Sequence, residues 1–206
     1  MHDTRVNEPD HDRLFHIASE QGGYFTSAQA LRCGFSKALL GHHARDGGQF
    51  IRISRGLYRL RRYPSSPRED VLAAWLAAGR DKAVVSHGSA LELLGLSDIV
   101  PEAVHITMPR SKRYRLASPG VRVHTTIREL IPRDVVVRDG IRVTSASRSI
   151  VDAAEAGTAP EQVVAAAREA LERGMTTAPR LLAAGRERGG RVEELIRRAI
   201  EDSRPA

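Results

Sequence analysis

The chain has 206 residues, of which 41% are hydrophobic, and a formal net charge of +7 at pH 7. This length suffices for one large or two small domains, and the positive charge favours a polyanionic partner. The single Cys33 excludes an internal disulfide and a thiolate zinc site. No apolar run has the length of a membrane span and the N-terminus lacks a signal peptide, so we expect a soluble cytoplasmic protein.

The first predicted element is a helix that begins near residue 10. Residues 1–9 are polar, and we expect them to be disordered. Asp10 or Asp12 can cap a helix that runs to about Gln21, because a short carboxylate side chain accepts a hydrogen bond from the first free amides. The apolar side of this helix is predicted to consist of Leu14, Phe15, Ile17 and Ala18.

Two short helices follow, and each has its own start signal. Thr26 and Gln29 have the spacing of a capping box, in which two side chains each bind a backbone amide. Gly34 can adopt the left-handed conformation that ends the first helix, and Ser36 can cap the second. The expected inward-facing side chains are Ala28 and Leu31 in the first helix and Leu39, Leu40 and Ala44 in the second.

A basic β-hairpin is predicted next, because residues alternate in polarity on both sides of the turn Ser54-Arg55-Gly56. The alternation predicts that one face buries Ile51, Ile53, Tyr58 and Leu60, and that the other presents Arg52, Arg59 and Arg61. Two short helices followed by such a hairpin are typical of a winged helix-turn-helix. That unit places its second helix in the major groove of DNA and its wing on phosphates or in the neighbouring groove.

The candidate DNA contacts lie on the second short helix and on the hairpin. Helix pairs followed by hairpins also occur in proteins that do not bind DNA, and many arginine runs are only solvated surface. An acid-free run of arginines directly after two capped helices favours DNA binding. Candidates for groove contacts are Lys37, His42 and Arg45, candidates for backbone contacts are Arg52, Arg55, Arg59, Arg61 and Arg62, and Ser36 and His43 complete the set.

A second domain is predicted after the hairpin. The segment 63–67 is rich in Pro and Ser and forms a candidate junction, and the next helix has Trp75 as its core anchor. We therefore predict an N-terminal DNA-binding domain with its connecting helix over residues 1–80 and an α/β domain over residues 81–206.

The second domain is predicted to contain a small sheet followed by helices, which makes the whole chain an α+β protein. Short apolar runs predict strands over 83–85, 104–108 and 120–125, with Ser86 as the cap of a helix after the first. Asp139-Gly140 is a strong hairpin signal, and the residues from Ser147 onward predict helices. The sheet is expected to be mixed or antiparallel. A basic loop before the third strand contains Arg110, Lys112, Arg113 and Arg115.

The histidines do not predict a metal site. His42 and His43 are adjacent in a helix and point about 100° apart, so they cannot share one ion on that face. His87, His105 and His124 lie on separate predicted elements without cysteine partners or metal-ligand spacing, and we expect His105 and His124 to be exposed to solvent.

No catalytic motif is found either. The chain has no phosphate-binding loop and no nucleophile elbow. Asp152 follows Arg148 by four residues, which predicts an ion pair on a helix surface rather than an acid or base. We therefore expect no enzymatic activity, no cofactor and no bound metal.

Several segments occur in a characteristic order. GGYFTSAQALRCGFS and RISRGLYRL are followed by VVSHGSALELLGL, VHITMP and GIRVTSASRSIVDAAEAG, and together they cover most of residues 10–157. In this order they resemble the AbiEi-type antitoxins of type IV toxin–antitoxin systems. The resemblance implies an antitoxin that binds operator DNA with inverted repeats, represses its own operon and counters a nucleotidyltransferase-type toxin encoded beside it. It does not imply direct binding to that toxin, because antagonism in this family is thought to need no stable complex.

Two alternatives remain open. The chain could be a plain winged-helix regulator without a toxin, whose C-terminal half only mediates oligomerisation. It could also be a minimal nuclease, because the same N-terminal segment occurs on proteins that end in a nuclease-like domain. The last fifty residues contain no lysine, which argues against a nuclease of that kind.

Overall fold

The computed structural model describes residues 8–98, 100–111, 119–127 and 130–202. The chain divides into two compact units, Met1–Ala77 and Ala78–Ala206. Most of the predicted disordered N-terminus and most of the predicted basic loop, including Lys112, Arg113 and Arg115, lie outside the described residues. Within the described residues, no helix is long and apolar enough to cross a membrane.

The first unit is a winged helix-turn-helix, as predicted. Its elements are α1 (His11–Ser19), β1 (Tyr24–Thr26), α2 (Ser27–Arg32), α3 (Lys37–His43), β2 (Phe50–Ser54), β3 (Leu57–Leu60) and α4 (Glu69–Ala78). The three strands form an antiparallel sheet in the order β1-β3-β2. The strand β1 was not predicted. It pairs with β3, which lies more than thirty residues later in the sequence.

Side-chain caps begin the first three helices. Asp10 accepts a hydrogen bond from the amide of Arg13 at 2.9 Å, which starts α1. The capping box of α2 is confirmed, because Thr26 Oγ1 accepts from the amide of Gln29 and the Gln29 side chain accepts from the amide of Thr26. Ser36 Oγ accepts from the amide of Leu39 at 3.1 Å and starts α3. Gly34 between α2 and α3 has φ of 83°, the left-handed conformation expected there.

An aromatic cluster forms the core of this unit. Phe25 of β1 contacts Phe50 of β2 edge to face, with 4.9 Å between the ring centroids, and stacks on Tyr58 of β3 at 5.7 Å. The buried residues around these rings are Leu14, Ala18, Ala30, Cys33, Phe35 and Leu40. In α2 the prediction was wrong: Ala28 and Leu31 are exposed, and Gln29 and Ala30 are buried in their place.

The predicted faces of the hairpin were also partly wrong. Phe50 is buried, whereas Ile53 is 41% exposed. The register explains the difference, because a bulge between Arg52 and Ser54 shifts the pairing of β2 with β3. In addition, β3 is the central strand, so Leu57, Tyr58 and Arg59 are all buried although neighbouring side chains point to opposite faces.

The second unit contains the predicted small sheet, and its pairing is mixed. Its strands are β4 (Val84–Val85), β5 (Val104–Pro109), β6 (Val121–Thr126), β7 (Val135–Arg138) and β8 (Ile141–Thr144), in the order β6-β5-β4-β8-β7. The pairs β5–β6 and β4–β8 are parallel, and the other two are antiparallel. The β7–β8 hairpin turns at Asp139-Gly140, where both residues have positive φ, as predicted.

Helices complete the second unit. α5 (His87–Leu93) follows β4 directly, and the C-terminal helices are α6 (Ala146–Glu155), α7 (Pro160–Glu172), α8 (Ala178–Arg188) and α9 (Gly190–Glu201). α6 contacts α5, α7, α8 and α9, so it is the helix around which the others pack. Small or branched residues of α6 that face these contacts are fully buried, including Ile150, Val151 and Ala153. The chain is therefore an α+β protein with a winged-helix unit followed by an α/β unit.

Candidate functional site

The exposed face of α3 carries two of the predicted groove contacts, Lys37 and His42, and the residues between them on this face, Ala38 and Gly41, are small. The third, Arg45, is exposed in the turn that follows the helix, because α3 ends at His43. A Cβ atom added at Gly41 would meet no atom within 4 Å. A helix face with small residues flanked by cationic or polar ones lets the backbone approach a DNA groove closely while longer side chains reach the base edges.

Two other predicted residues of α3 have structural roles. The hydroxyl of Ser36 is the helix cap and is already bound to the amide of Leu39. His43 is half-buried, and its ring packs against Phe50 at 5.1 Å and against His11 at 5.7 Å between centroids. Burial lowers the pKa of His43, so its ring is neutral at pH 7. His43 therefore belongs to the edge of the core rather than to the exposed face of α3.

The wing presents two arginines to solvent. Arg52 lies on β2 and Arg55 lies in the turn before Gly56, and both are exposed. Among the parts of the chain that the structure describes, neither has a hydrogen-bonded or ion-pair partner, and the same holds for Lys37. These three cations are free to meet the phosphates of a nucleic acid.

Arg59 does not lie on the exposed face of the wing, so its predicted exposure there was wrong. The residue is only 7% exposed. Its guanidinium donates hydrogen bonds to Glu69 Oε1 at 2.5 Å and to the carbonyl oxygens of Tyr63 and Pro64 at 2.9 and 3.1 Å. It also lies over the ring of Tyr24, 5.7 Å from the centroid. The central strand has no solvent-exposed face at this position, so Arg59 is buried. Its hydrogen bonds connect the segment after the wing to the sheet.

Arg61 is exposed but is tied to the backbone of its own unit. Its Nε donates to the carbonyl oxygen of Gly48 at 2.5 Å, and its terminal nitrogen donates to the carbonyl oxygens of Arg45 and Phe50 at 3.2 and 3.3 Å. These bonds connect the loop after α3 to the end of the wing. Arg62 is exposed beside it. Arg61 therefore positions the helix relative to the wing, and Arg62 retains the role of a candidate phosphate contact.

Three histidines that were predicted to lie on separate elements are close together in the second unit. His87, the first residue of α5, stacks on His124 of β6 with 3.5 Å between ring centroids. Nε2 of His124 lies 3.1 Å from Nδ1 of His105 on β5. His87 is buried, and His105 and His124 are half-buried. The expected solvent exposure of His105 and His124 was wrong, because the sheet order places β6, β5 and the end of β4 side by side.

Burial keeps these histidines neutral. Burial, followed by the neighbouring histidines, lowers the pKa of His87 to about 2. The same causes lower the pKa of His105 to about 4, and burial lowers the pKa of His124 as well.

Ser86 does not cap α5 with its side chain as predicted. Its Oγ instead lies 2.9 Å from Nδ1 of His87 and accepts a hydrogen bond from Thr107 at 2.7 Å.

An acid–arginine group lies beside the histidines. Arg148 Nε is 2.9 Å from both carboxylate oxygens of Asp152, so the predicted ion pair exists. It is not on the helix surface, however, because Asp152 is only 3% exposed and also binds Arg188 of α8. Burial raises the pKa of the Asp152 carboxyl, and the two guanidiniums oppose this rise. These groups line a cavity of about 510 Å³ together with His87 and His124.

Comparisons with known proteins bear on both units. Residues 12–61 match the family model described as "Transcriptional regulator, AbiEi antitoxin". The fold is similar to that of the RV2827C protein from Mycobacterium tuberculosis, whose crystal structure aligns with a TM-score of 0.63 over 93% of this chain and 76% of that one. The two sequences are 17% identical, so this likeness shows the fold alone. The curated proteins contain no significant match.

The family match coincides with the winged-helix unit. It begins within α1 and ends just after β3, so it contains both α3 and the wing. The resemblance to AbiEi-type antitoxins is thereby confirmed for this region. Residues 12–61, about a quarter of the chain, match the AbiEi antitoxin family of transcriptional regulators.

Proposed function

We propose that this chain binds operator DNA through its winged-helix unit, represses its own operon and acts as the antitoxin of a type IV toxin–antitoxin system. The observation that carries the proposal is the family match over residues 12–61, which falls on a unit with exposed cations on both α3 and the wing. Helix-turn-helix units read sequence with the second helix and hold the phosphate backbone with flanking groups.

The contacts divide between groove and backbone. Lys37 and His42 contact base edges or the groove walls from the exposed face of α3, where Gly41 allows close approach, and Arg45 does so from the turn after the helix. Arg52, Arg55 and Arg62 contact phosphates from the wing and its end. The remaining predicted contacts act indirectly: Ser36 caps α3, and Arg61 holds the loop after α3 against the wing.

The toxin partner follows from the family rather than from a contact surface. The proposed target of the antitoxin is a nucleotidyltransferase-type toxin, whose gene lies next to the gene of this chain. We assign antagonism to the region after Ala83, and no stable complex between the two proteins is required. A cytoplasmic location is part of the same proposal, since both the operator and the toxin are found there.

The DNA-binding half is tested by fluorescence anisotropy with the purified full chain. The probe is the labelled region upstream of the chain's own gene, compared with a scrambled duplex of the same length and composition. Specific binding to the upstream region, at least about tenfold tighter than to the scrambled duplex, is expected. Equal affinity for both would refute an operator-specific repressor.

The antitoxin half is tested in cells that express the neighbouring nucleotidyltransferase gene from an independent promoter. Restored growth on co-expression of the full chain is the expected result. An independent promoter is essential, because repression of the native operon would otherwise mimic antagonism. Specific DNA binding without any rescue would support the plain regulator instead.

A further inference from the structure

Two neighbouring strands and the start of the helix after a third bring one imidazole each to the same place in the second unit. His124 lies on β6, His105 on the adjacent β5, and His87 two residues after β4. One ring nitrogen from each histidine lies within 4.8 Å of the others. Nε2 of His124 and Nδ1 of His105 are hydrogen-bonded at 3.1 Å. Two ligands on a tetrahedral zinc ion with bonds of about 2.0 Å lie about 3.3 Å apart, so this pair already has the spacing of a metal site.

Binding an ion requires the rings to turn, because His87 and His124 are stacked with 3.5 Å between their centroids. Contracting the widest nitrogen separation from 4.8 Å to that spacing moves one ring by about 1.5 Å, and torsions about χ2 of histidine are soft. Nδ1 of His87 lies 2.9 Å from Ser86 Oγ. In the tautomer in which Nδ1–H donates to this oxygen, the lone pair of Nε2 is available to an ion. The hydroxyl of Thr107 fixes Ser86 in turn. Ligating histidines commonly have such an outer hydrogen bond, which orients the ring.

The backbone of His87 is a second, independent observation. Its φ of 53° lies in the left-handed region, which residues with a side chain rarely adopt. The residue that follows is a glycine, Gly88, yet the left-handed conformation is adopted by His87. Backbone strain of this kind concentrates at functional sites, where the gain from positioning a group offsets the strain. Here the strained conformation carries a buried imidazole into contact with two others.

We propose that His87, His105 and His124 form a site for a transition-metal ion of the zinc class. Three imidazole nitrogens without a coordinating carboxylate suit zinc, nickel or copper rather than magnesium or calcium, which prefer oxygen ligands. Three protein ligands leave a fourth coordination position open, as in catalytic zinc sites. The proposal does not depend on DNA binding or on a toxin.

The cavity beside the histidines carries no excess positive charge. His87 and His124 line this cavity of about 510 Å³ together with Arg148 and Arg188 and with three carboxylates, Asp152, Glu155 and Glu187. Asp152 binds both arginines, and Glu155 also pairs with Arg188. The arginines are therefore compensated, and the fourth ligand of the ion is a water or hydroxide, as in catalytic zinc sites.

The test uses the full chain without an affinity tag, stripped with a chelator and titrated with Co²⁺. One equivalent of Co²⁺ per chain should bind and give the intense visible absorption of a four- or five-coordinate ion, and an equivalent of Zn²⁺ should abolish this absorption. Zn²⁺ should also raise the melting temperature of the stripped protein, because it binds the folded state alone. A spectrum typical of hexahydrated Co²⁺ throughout the titration would overturn the proposal.

Substitutions of single histidines test where in the protein the ion binds. His105→Gln and His124→Gln, both at half-buried positions, should weaken Co²⁺ binding by about 100-fold or more. The matched controls are His16→Gln on the exposed side of α1 and His42→Gln on α3, which should leave binding unchanged. Circular dichroism checks that each variant is folded. Binding that survives both cluster substitutions, or that is lost in His42→Gln, would overturn the assignment. If the cluster variants do not fold, the Co²⁺ spectrum of the unmodified protein decides alone.

Discussion

At the scale of single residues, one arginine shows why a basic residue on a wing is not always a DNA contact. Arg59 occurs in a run of arginines, yet it is buried and binds Glu69 and two carbonyl oxygens. A guanidinium has five donors in a fixed plane, so it can satisfy a carboxylate and several carbonyl groups together. Sequence alternation could not reveal this, because the partner groups come from the segment after the hairpin.

We predict that Arg59→Ala destabilises the protein without a specific effect on DNA. Removing one partner of a buried ion pair leaves an uncompensated charge, and the expected loss in the free energy of unfolding is about 3 kcal/mol. Urea denaturation measures this loss. The control is Arg52→Ala on the same wing, whose exposed side chain should change stability by less than about 0.5 kcal/mol. A loss below about 1 kcal/mol for Arg59→Ala would mean that this ion pair contributes little.

A second residue-scale prediction concerns Gly41, which lies on the exposed face of α3. A methyl group there meets nothing within 4 Å, and alanine favours helix by about 0.5–1 kcal/mol over glycine. Gly41→Ala should therefore stabilise the free protein by about that amount. If α3 enters the groove, the same substitution should weaken operator binding, because the methyl group separates the helix from the bases. Urea denaturation and anisotropy together check both signs, and unchanged affinity would place this face outside the interface.

At the scale of elements, local signals predicted the helices and long-range pairing limited the prediction of the strands. The starts of α1, α2 and α3 follow from Asp10, Thr26 and Ser36, because a cap and its amide are within three residues of each other. The strand β1 pairs only with distant β3, so its three residues carried no local signal. Ile53 was expected to be buried and is exposed, because the bulge between Arg52 and Ser54 belongs to the pairing of β2 with β3, which the alternation of residues does not reveal.

The wing is predicted to hold phosphates. Each phosphate contact that is lost should lower the slope of log affinity against log salt by about 0.9. The double substitution Arg52→Ala and Arg55→Ala should thus reduce the slope by about 2 and weaken binding to operator and scrambled DNA equally. Anisotropy titrations at several salt concentrations measure the slope. The stability of the variant should not change, which separates this effect from that of Arg59→Ala, and an unchanged slope would remove the wing from the interface.

The helix α3 is predicted to read bases. A lysine that contacts guanine O6 or N7 discriminates against other bases by about 1–3 kcal/mol. Lys37 is exposed in the first turn of α3, so Lys37→Ala should lose affinity for the operator while retaining most of its affinity for scrambled DNA. This is the opposite pattern to that of the wing variant. Equal losses on both duplexes would make Lys37 a phosphate contact, and no loss on either would place it in solvent.

At the scale of the whole molecule, the candidate DNA interface was predictable and the histidine cluster was not. Lys37, His42 and Arg45 are neighbours in sequence, so one short helix and the turn after it suffice to place them close together. His87, His105 and His124 meet only through the strand order β6-β5-β4, which no local pattern contains. Their spacing in sequence resembles no metal motif, because the three histidines come from separate elements, β5, β6 and the start of α5, rather than from one loop or one helix.

The final prediction uses the division of the chain into two units. The unit Met1–Ala77 has its own aromatic core, and α4 ends at Ala78, so a fragment of residues 1–80 retains every element of the winged helix. This fragment should fold and bind the operator with the salt slope of the full chain, because the slope counts phosphate contacts that all lie in this unit.

The same fragment should fail to rescue cells from the neighbouring toxin expressed from an independent promoter, since we assign antagonism to the region after Ala83. Circular dichroism of the fragment and a growth assay beside the full chain give the two readouts. A fragment that binds with a clearly lower slope would place phosphate contacts in the second unit. A fragment that rescues growth would show that the winged-helix unit alone opposes the toxin, and the second unit with its histidines would then require a different function.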